Sequence, residues 1–333
     1  MTATLYITDY GVMLPTGNHP GALLAATLGG QQCARIEDTL MVPTANGAAM
    51  PVIAQAPSGQ PGLIEQARER LAQWHDQPVL LVLPASDQHQ HSRLYGALKP
   101  AIGPHVRITS PCQLAETLEQ LAQQLTARDM ASPTNSAMVL AVDDLLTQDA
   151  LLSLHQDGEL RTDQQPLGRV PSQGMAWFEL RSDDATPDTA PDAVIQWLAH
   201  GAGQETNFQY IGVAPLQGLA NSIKQCLHGE ATPNRPQIVV HARAQTQAEQ
   251  LEWYHARQRV WPDDRQQPAM ELLCPALTHG DLGAASLATA VVLTCERLRF
   301  PLNPATDALV IDTAEHGSRL ALTLSRSPTR SPS

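Results

Sequence analysis

The chain predicts an α/β architecture in which mixed sheets are covered by helices, and three observations predict it. Apolar strand-like runs alternate with amphipathic helix-like runs along nearly the whole length. The 333 residues suffice for one large domain or two fused half-domains around a sizeable core. One helix-like tract, "HGDLGAASLATAVVLTCERL" (His279–Leu298), has no polar face, so neighbours must cover it on all sides.

Taken in order, the strand-like runs are "ATLYITDYGV", "PVLLVLPAS", "SAMVLAVDDLL", "MAWFELRS", "PQIVVHARA", "DALVIDTA" and "RLALTLS". Between them lie the helix-like "GALLAATLGG", "LIEQARERLAQWH", "CQLAETLEQLAQQLTARD", "GLANSIKQCLHG" and "AEQLEWYHARQRV", followed by the all-apolar tract. "RSDDATPDTAPDA" (Arg181–Ala193) is rich in Pro and Asp and reads as a surface linker between two halves, 1–182 and 183–324. The closing 325–333, "SRSPTRSPS", has nothing to bury and reads as a disordered tail.

Helix starts carry the local signals. Asp281 is placed to cap the amides that follow it, and the small residues Gly283, Ala284, Ala285 and Ser286 let neighbouring backbones approach closely. In "ITSPCQLAETLEQL", Ser110 is the expected N-cap, Pro111 the first helical residue and Gln113 the partner of a capping box. That places Cys112 in the first turn, where the macrodipole lowers a thiol's pKa. Leu114, Leu118, Leu121 and Leu125 form one buried stripe.

Composition excludes several classes. The net charge of −12, with Lys99 and Lys224 the only lysines, argues against nucleic acid or an anionic membrane as partner. The longest apolar run, Leu282–Cys295, is too short to span a bilayer, and the N-terminus reads as a first strand, not a secretory signal. Five cysteines (Cys33, Cys112, Cys226, Cys274, Cys295), scattered and odd in number, fit reduced thiols in a cytoplasm. His89 and His91 have metal-compatible spacing, but no carboxylate or thiol cluster supports them, so they read as a polar loop. "GAGQE" near Gly201 is no phosphate loop, and Trp253 and Tyr254 read as core. Nothing in the chain asks for a cofactor or a metal.

These pieces, in this order, resemble the β-ketoacyl-acyl carrier protein synthases of the thiolase fold. "YITDYGVMLPTG" resembles the family's opening strand and turn, and "SAMVLAVDDLL" with "GMAWFELRS" its paired central strands. "PQIVVHARAQTQAEQLEW" is similar to its "EAHGTGTxxGDxxE" motif, "HGDLGAASLATAVVL" to its "GHxxGAAGxxG" helix, and "ALVIDTAEHGSRLALTL" to its last hairpin. The resemblance implies a five-layered α/β/α/β/α sandwich of two similar halves, with the apolar helix at its centre. It also implies a thiolate that accepts an acyl group and two histidines that stabilise the thioester oxyanion.

Carried over residue by residue, the resemblance places the nucleophile at Cys112, the first histidine at His241 and the second near His279. No motif is intact. The glycines after His241 have become "ARAQ", the family's second histidine falls on Gly280 with His279 one place early, the upstream lysine is Pro275, and Glu315 and His316 replace a Phe-Gly pair. The chain is also shorter than usual before Cys112. The expectation is therefore a degenerate, non-catalytic member that works by binding. It would form a homo- or heterodimer with a synthase-like subunit, as a chain length factor does, or serve as an adaptor toward an acyl carrier protein or a secretion component. The alternative is a divergent acyltransferase, decarboxylase or thioesterase using Cys112 and His241.

Overall fold

A computed structural model describes residues 5–44, 47–55, 62–85, 89–126, 135–182, 195–206, 215–227, 235–262, 269–302 and 304–326. The strands are β1 (Leu5–Met13), β2 (Arg35–Pro43), β3 (Ala49–Ala54), β4 (Val79–Val82), β5 (Val106–Thr109), β6 (Ser136–Asp144), β7 (Gln173–Ser182), β8 (Ile195–Gln204), β9 (Ile238–His241), β10 (Glu271–Leu273), β11 (Asp307–Thr313) and β12 (Ser318–Arg326). The helices are α1 (Pro20–Leu28), α2 (Leu63–Gln73), α3 (His89–Leu98), α4 (Leu114–Thr126), α5 (Gln148–Gln156), α6 (Gly218–Cys226), α7 (Gln247–Val260), α8 (Pro275–His279) and α9 (Ser286–Arg299).

Two topologically equivalent halves share one sheet. The order β5-β4-β6-β7-β1 in the first half repeats as β10-β9-β11-β12-β8 in the second. In both, the three outer strands are parallel and the last two antiparallel. The halves join where β1 pairs antiparallel with β8, Leu5 opposite Trp197 and Ile7 opposite Ile195. β2 and β3 form a separate hairpin that packs on α5.

Strict alternation along the central strands builds the layers. Leu80, Val82, Val139 and Phe178 face one way, into a core shared with Val240, Val310 and Leu322 of the other half and with α4 and α9. Leu81, Leu83, Leu140 and Trp177 face the other way, against α2 and α3. Val239, Leu309 and Ile311 face α6 and α7. Helices α4 and α9 therefore lie between the two half-sheets, giving the expected α/β/α/β/α order. Helix α9 is buried all round; its one deeply buried charge, Arg297, is paired with Glu271 at 2.7 Å.

The structure corrects several local expectations. Ser110 precedes a short 3₁₀ turn, Pro111–Gln113, and makes no side-chain cap; the helix proper begins at Leu114. The capping box stands instead at α7, between Thr246 and Glu249. Ser325 and Arg326 are not tail but the end of β12, in register with Gln196 and Ile195; 327–333 lie outside the described residues. Arg181 and Ser182 complete β7, and the rest of the expected linker lies outside the described residues. His89 and His91 stand in α3, not a loop, and their side chains are not described. "GAGQ" is the end of β8: a Cβ on Gly201 would stand 2.0 Å from the Ser222 carbonyl of α6, so small residues here allow close strand–helix contact. Trp253 is core, but Tyr254 is 54 % exposed. Among the described residues no helix is long and apolar enough to cross a membrane, and no group of three His, Cys, Asp or Glu residues could hold a metal.

Candidate active-site cleft

Six chain segments converge where the parallel strands end, the turn after β4 with Pro84 and Ala85 among them. The turn after β5 brings Cys112, the end of β6 brings Asp143, and the turn after β9 brings Arg243. The entry to α9 brings Gly283 and Ala284, and the β11–β12 turn brings His316. The cleft they line encloses only about 20 Å³, room for roughly one water molecule.

Its walls are held by charge. Arg243, 2 % exposed, donates from Nε to Asp312 Oδ1 at 3.0 Å and from Nη2 to the Gly283 carbonyl at 2.6 Å. Asp143 Oδ2 accepts from the Ala284 amide at 2.7 Å. Asp281 Oδ1 accepts from the Gly283 amide at 2.9 Å, which is the expected cap, and its Oδ2 accepts from Arg169 at 2.9 Å. Asp281 is held below the usual carboxylate range by Arg169 and Arg243 despite the opposing effect of burial. Gly283 has φ +52°, and a Cβ there would stand 2.0 Å from Asp143 Oδ2.

Of the residues the sequence singled out, the cleft gathers Cys112 and His316. His316 is a non-glycine residue at φ +60°, and its carbonyl accepts from Gln204 Nε2 at 2.8 Å. The other two histidines do not line it. His241, at the end of β9, is fully buried; its Nε2 lies 3.5 Å from Thr313 Oγ1 and its Nδ1 makes no hydrogen bond. Burial, reinforced by Arg319, pushes its pKa down to about 3.

His279, at the end of α8, is clamped between Thr16 Oγ1 at 2.8 Å from Nδ1 and Thr27 Oγ1 at 3.3 Å from Nε2. Thr27 donates its own hydrogen to the Leu23 carbonyl, so it accepts from Nε2–H. Burial pushes His279 down to about 4. The next residue, Gly280, sits at φ +77° with Ser172 Cβ 2.7 Å from where a Cβ would be, so a side chain does not fit there. Arg243 and Asp143 were not anticipated from sequence. The one available signal was a charge placed in the otherwise apolar "IVVHARA".

No family model matches the chain, and no curated protein matches it. Solved structures do. An oxazolomycin ketosynthase domain from Streptomyces albus JA3453 superposes with TM-score 0.73 at 13 % identity, over 99 % of this chain and 76 % of that one. A β-ketoacyl synthase from Burkholderia phymatum STM815 gives TM-score 0.71 at 14 % identity, over 98 % of this chain and all of that one. The ishigamide ketosynthase/chain length factor gives TM-score 0.65 at 16 % identity, over 97 % and 99 %. The chain therefore has the thiolase-like ketosynthase fold over nearly its whole length.

Proposed function

We propose that this chain is a degenerate ketosynthase-like protein that acts by binding, as the non-catalytic member of a pair with a synthase-like subunit. One observation carries this reading: the cleft that holds Cys112 is walled by Arg243, Asp143 and the start of α9, while His241 and His279 are buried outside it. A condensing site needs hydrogen-bond donors aimed at the thioester oxygen and room for an acyl chain. A cavity of about 20 Å³ has no such room. The likeness to a ketosynthase/chain length factor supports the paired arrangement. So does β5, which ends the sheet with no strand on its outer side among the described residues, an edge open to pairing.

A second reading rests on Cys112 and His316 lining the same cleft. Here His316 would take the Cys112 proton, the resulting thiolate would attack an acyl thioester, and His316 would return the proton to the departing carrier sulfur, leaving an acyl-cysteine and the free carrier thiol. Intact-protein mass after incubation with acyl-loaded carrier protein, and separately with acyl-CoA, tests both readings. The expected result is no adduct on the folded protein. An acyl adduct that Cys112→Ala abolishes would overturn the non-catalytic reading and install the second.

A further inference from the structure

Much of the wall around Cys112 has little side chain with which to fill the cleft: two prolines, two alanines and Gly283 line it. Leu145 and three polar side chains, Asp143, Arg243 and His316, complete the lining. Asp143 is turned onto backbone: its Oδ1 accepts from the Asp144 amide at 2.8 Å and its Oδ2 from the Ala284 amide at 2.7 Å. His316 sits on the short turn between β11 and β12, not within a strand or an α-helix.

Arg243 is the longest of these side chains and is fastened at its far end. Its Nε donates to Asp312 Oδ1 at 3.0 Å and its Nη2 to the Gly283 carbonyl at 2.6 Å. The guanidinium therefore reaches from the end of β11 to the entry of α9, and the side chain is only 2 % exposed. A flexible apolar side chain could swing aside for an incoming group. This one is held: it keeps its charge at any working pH, and leaving would strand the Asp312 carboxylate, itself 4 % exposed. The space left beside Arg243 and Cys112 is about 20 Å³, enough for roughly one water.

We propose that Arg243 is the plug of this cleft and determines the largest group that the Cys112 sulfur can carry. Held by Asp312 and the Gly283 carbonyl, its bulk occupies the space that an alkyl or acyl chain on that sulfur would need. The inference deepens the closed-cleft reading above and rests on it. It assigns closure to the volume of one side chain, not to its charge and not to the backbone, and each of those alternatives has a different signature.

Alkylation of the folded full chain by iodoacetamide and by its N-octyl derivative separates them, with the Cys112 peptide quantified by mass spectrometry. The two reagents share one reaction, in which the thiolate displaces iodide and a carbon–sulfur bond forms. In the wild type the octyl reagent should react at Cys112 about ten-fold more slowly than iodoacetamide, after each rate is divided by that for free cysteine. Arg243→Ala with Asp312→Asn removes the plug without stranding a charge and should bring the two rates within about two-fold. Arg243→Met with Asp312→Asn removes the same charges but leaves a long side chain in place, so a gap of about ten-fold should remain. Equal opening in both double variants would mean that the broken ion pair, and not the bulk, sets access. A gap unchanged in the alanine variant would mean that the backbone closes the cleft. Either result, or a wild type with no gap, overturns the proposal. Thermal melts establish that each variant is folded, and Arg243→Ser with Asp312→Asn stands in should the alanine form not fold. Failure of the non-catalytic reading shows elsewhere, as an acyl adduct in the thioester assay on the wild type.

Discussion

Replacing Gly283 by alanine should be among the most damaging one-carbon changes in the chain, and the geometry says by how much. At φ +52° an L-residue carries a left-handed strain of about 1 kcal/mol. The new Cβ would also stand 2.0 Å from Asp143 Oδ2, a contact that cannot persist. Asp143 must then give up its 2.7 Å bond to the Ala284 amide, a charge-assisted hydrogen bond whose loss costs about 1.5–3 kcal/mol. Together these come to about 2.5–4 kcal/mol, or about 5–8 °C in melting temperature for a chain of this size. Gly158 supplies the control: its φ is +69°, yet nothing lies within 4 Å of its added Cβ, so Gly158→Ala should cost the strain alone, about 2 °C. Differential scanning calorimetry of the two variants against wild type measures the difference. Equal shifts would refute the claim that Asp143 is locked onto the start of α9.

The buried histidines set an acid-side stability limit. Their folded pKa values, about 3 for His241 and about 4 for His279, lie below the ordinary 6.5, so the unfolded chain binds more protons and stability is lost as pH falls below 6.5. Urea midpoints at pH 7.5 and pH 5 should differ accordingly, and less so in His279→Gln; a midpoint unchanged over that range would contradict the burial. The thiols should divide by acidity as well as exposure: Cys33 is exposed and Cys112, like Cys274, half-buried, whereas burial pushes the Cys226 and Cys274 thiols up to about 11 and Cys295 higher still. Maleimide labelling at pH 7.5 read by intact mass should therefore stop at two adducts on the native protein, and a rapid third would be inconsistent with this packing.

What could be read from sequence follows from where each residue is buried. Strands β4, β6, β7, β9, β11 and β12 are apolar on both faces because helices cover both, and that leaves an unmistakable run. β8 escapes a reading from sequence because its close approach to α6 demands Gly201 and Gly203, which break the apolar run that marks the other strands. β5 and β10 are short edge strands of four and three residues, too brief to show alternation. At the cleft, Cys112 was legible as a reactive type at a helix start, and His316 only as a replacement for one member of a Phe-Gly pair in the last hairpin. Arg243 was not, because its meaning depends on Asp312, 69 positions away. His241 and His279 were legible as candidates but not as buried ones, since what encloses them are Thr313, Thr16 and Thr27 from distant elements.

The Arg243–Asp312 pair ties the wall of the cleft to the end of β11. Arg243 stands two residues beyond His241, on the turn that lines the cleft, and its guanidinium stays protonated at any working pH, so it cannot serve as a base. It is also not readily dispensed with. Arg243 and Asp312 are both nearly inaccessible, with side chains 2 % and 4 % exposed, and removing either strands a buried charge at a cost of about 3–5 kcal/mol. Removing both strands neither. In a double-mutant cycle of Arg243→Met and Asp312→Asn, each single variant should lose about 3–5 kcal/mol by urea denaturation. The double variant should lose less than the sum by about 2 kcal/mol or more. Additivity within about 0.5 kcal/mol would mean that the two residues do not depend on each other and that the cleft wall is not built on this pair. If the coupling is found, a small residue at position 243 would be tolerated only with a change at position 312 as well, which is a physical reason for the arginine to stand in the cleft wall.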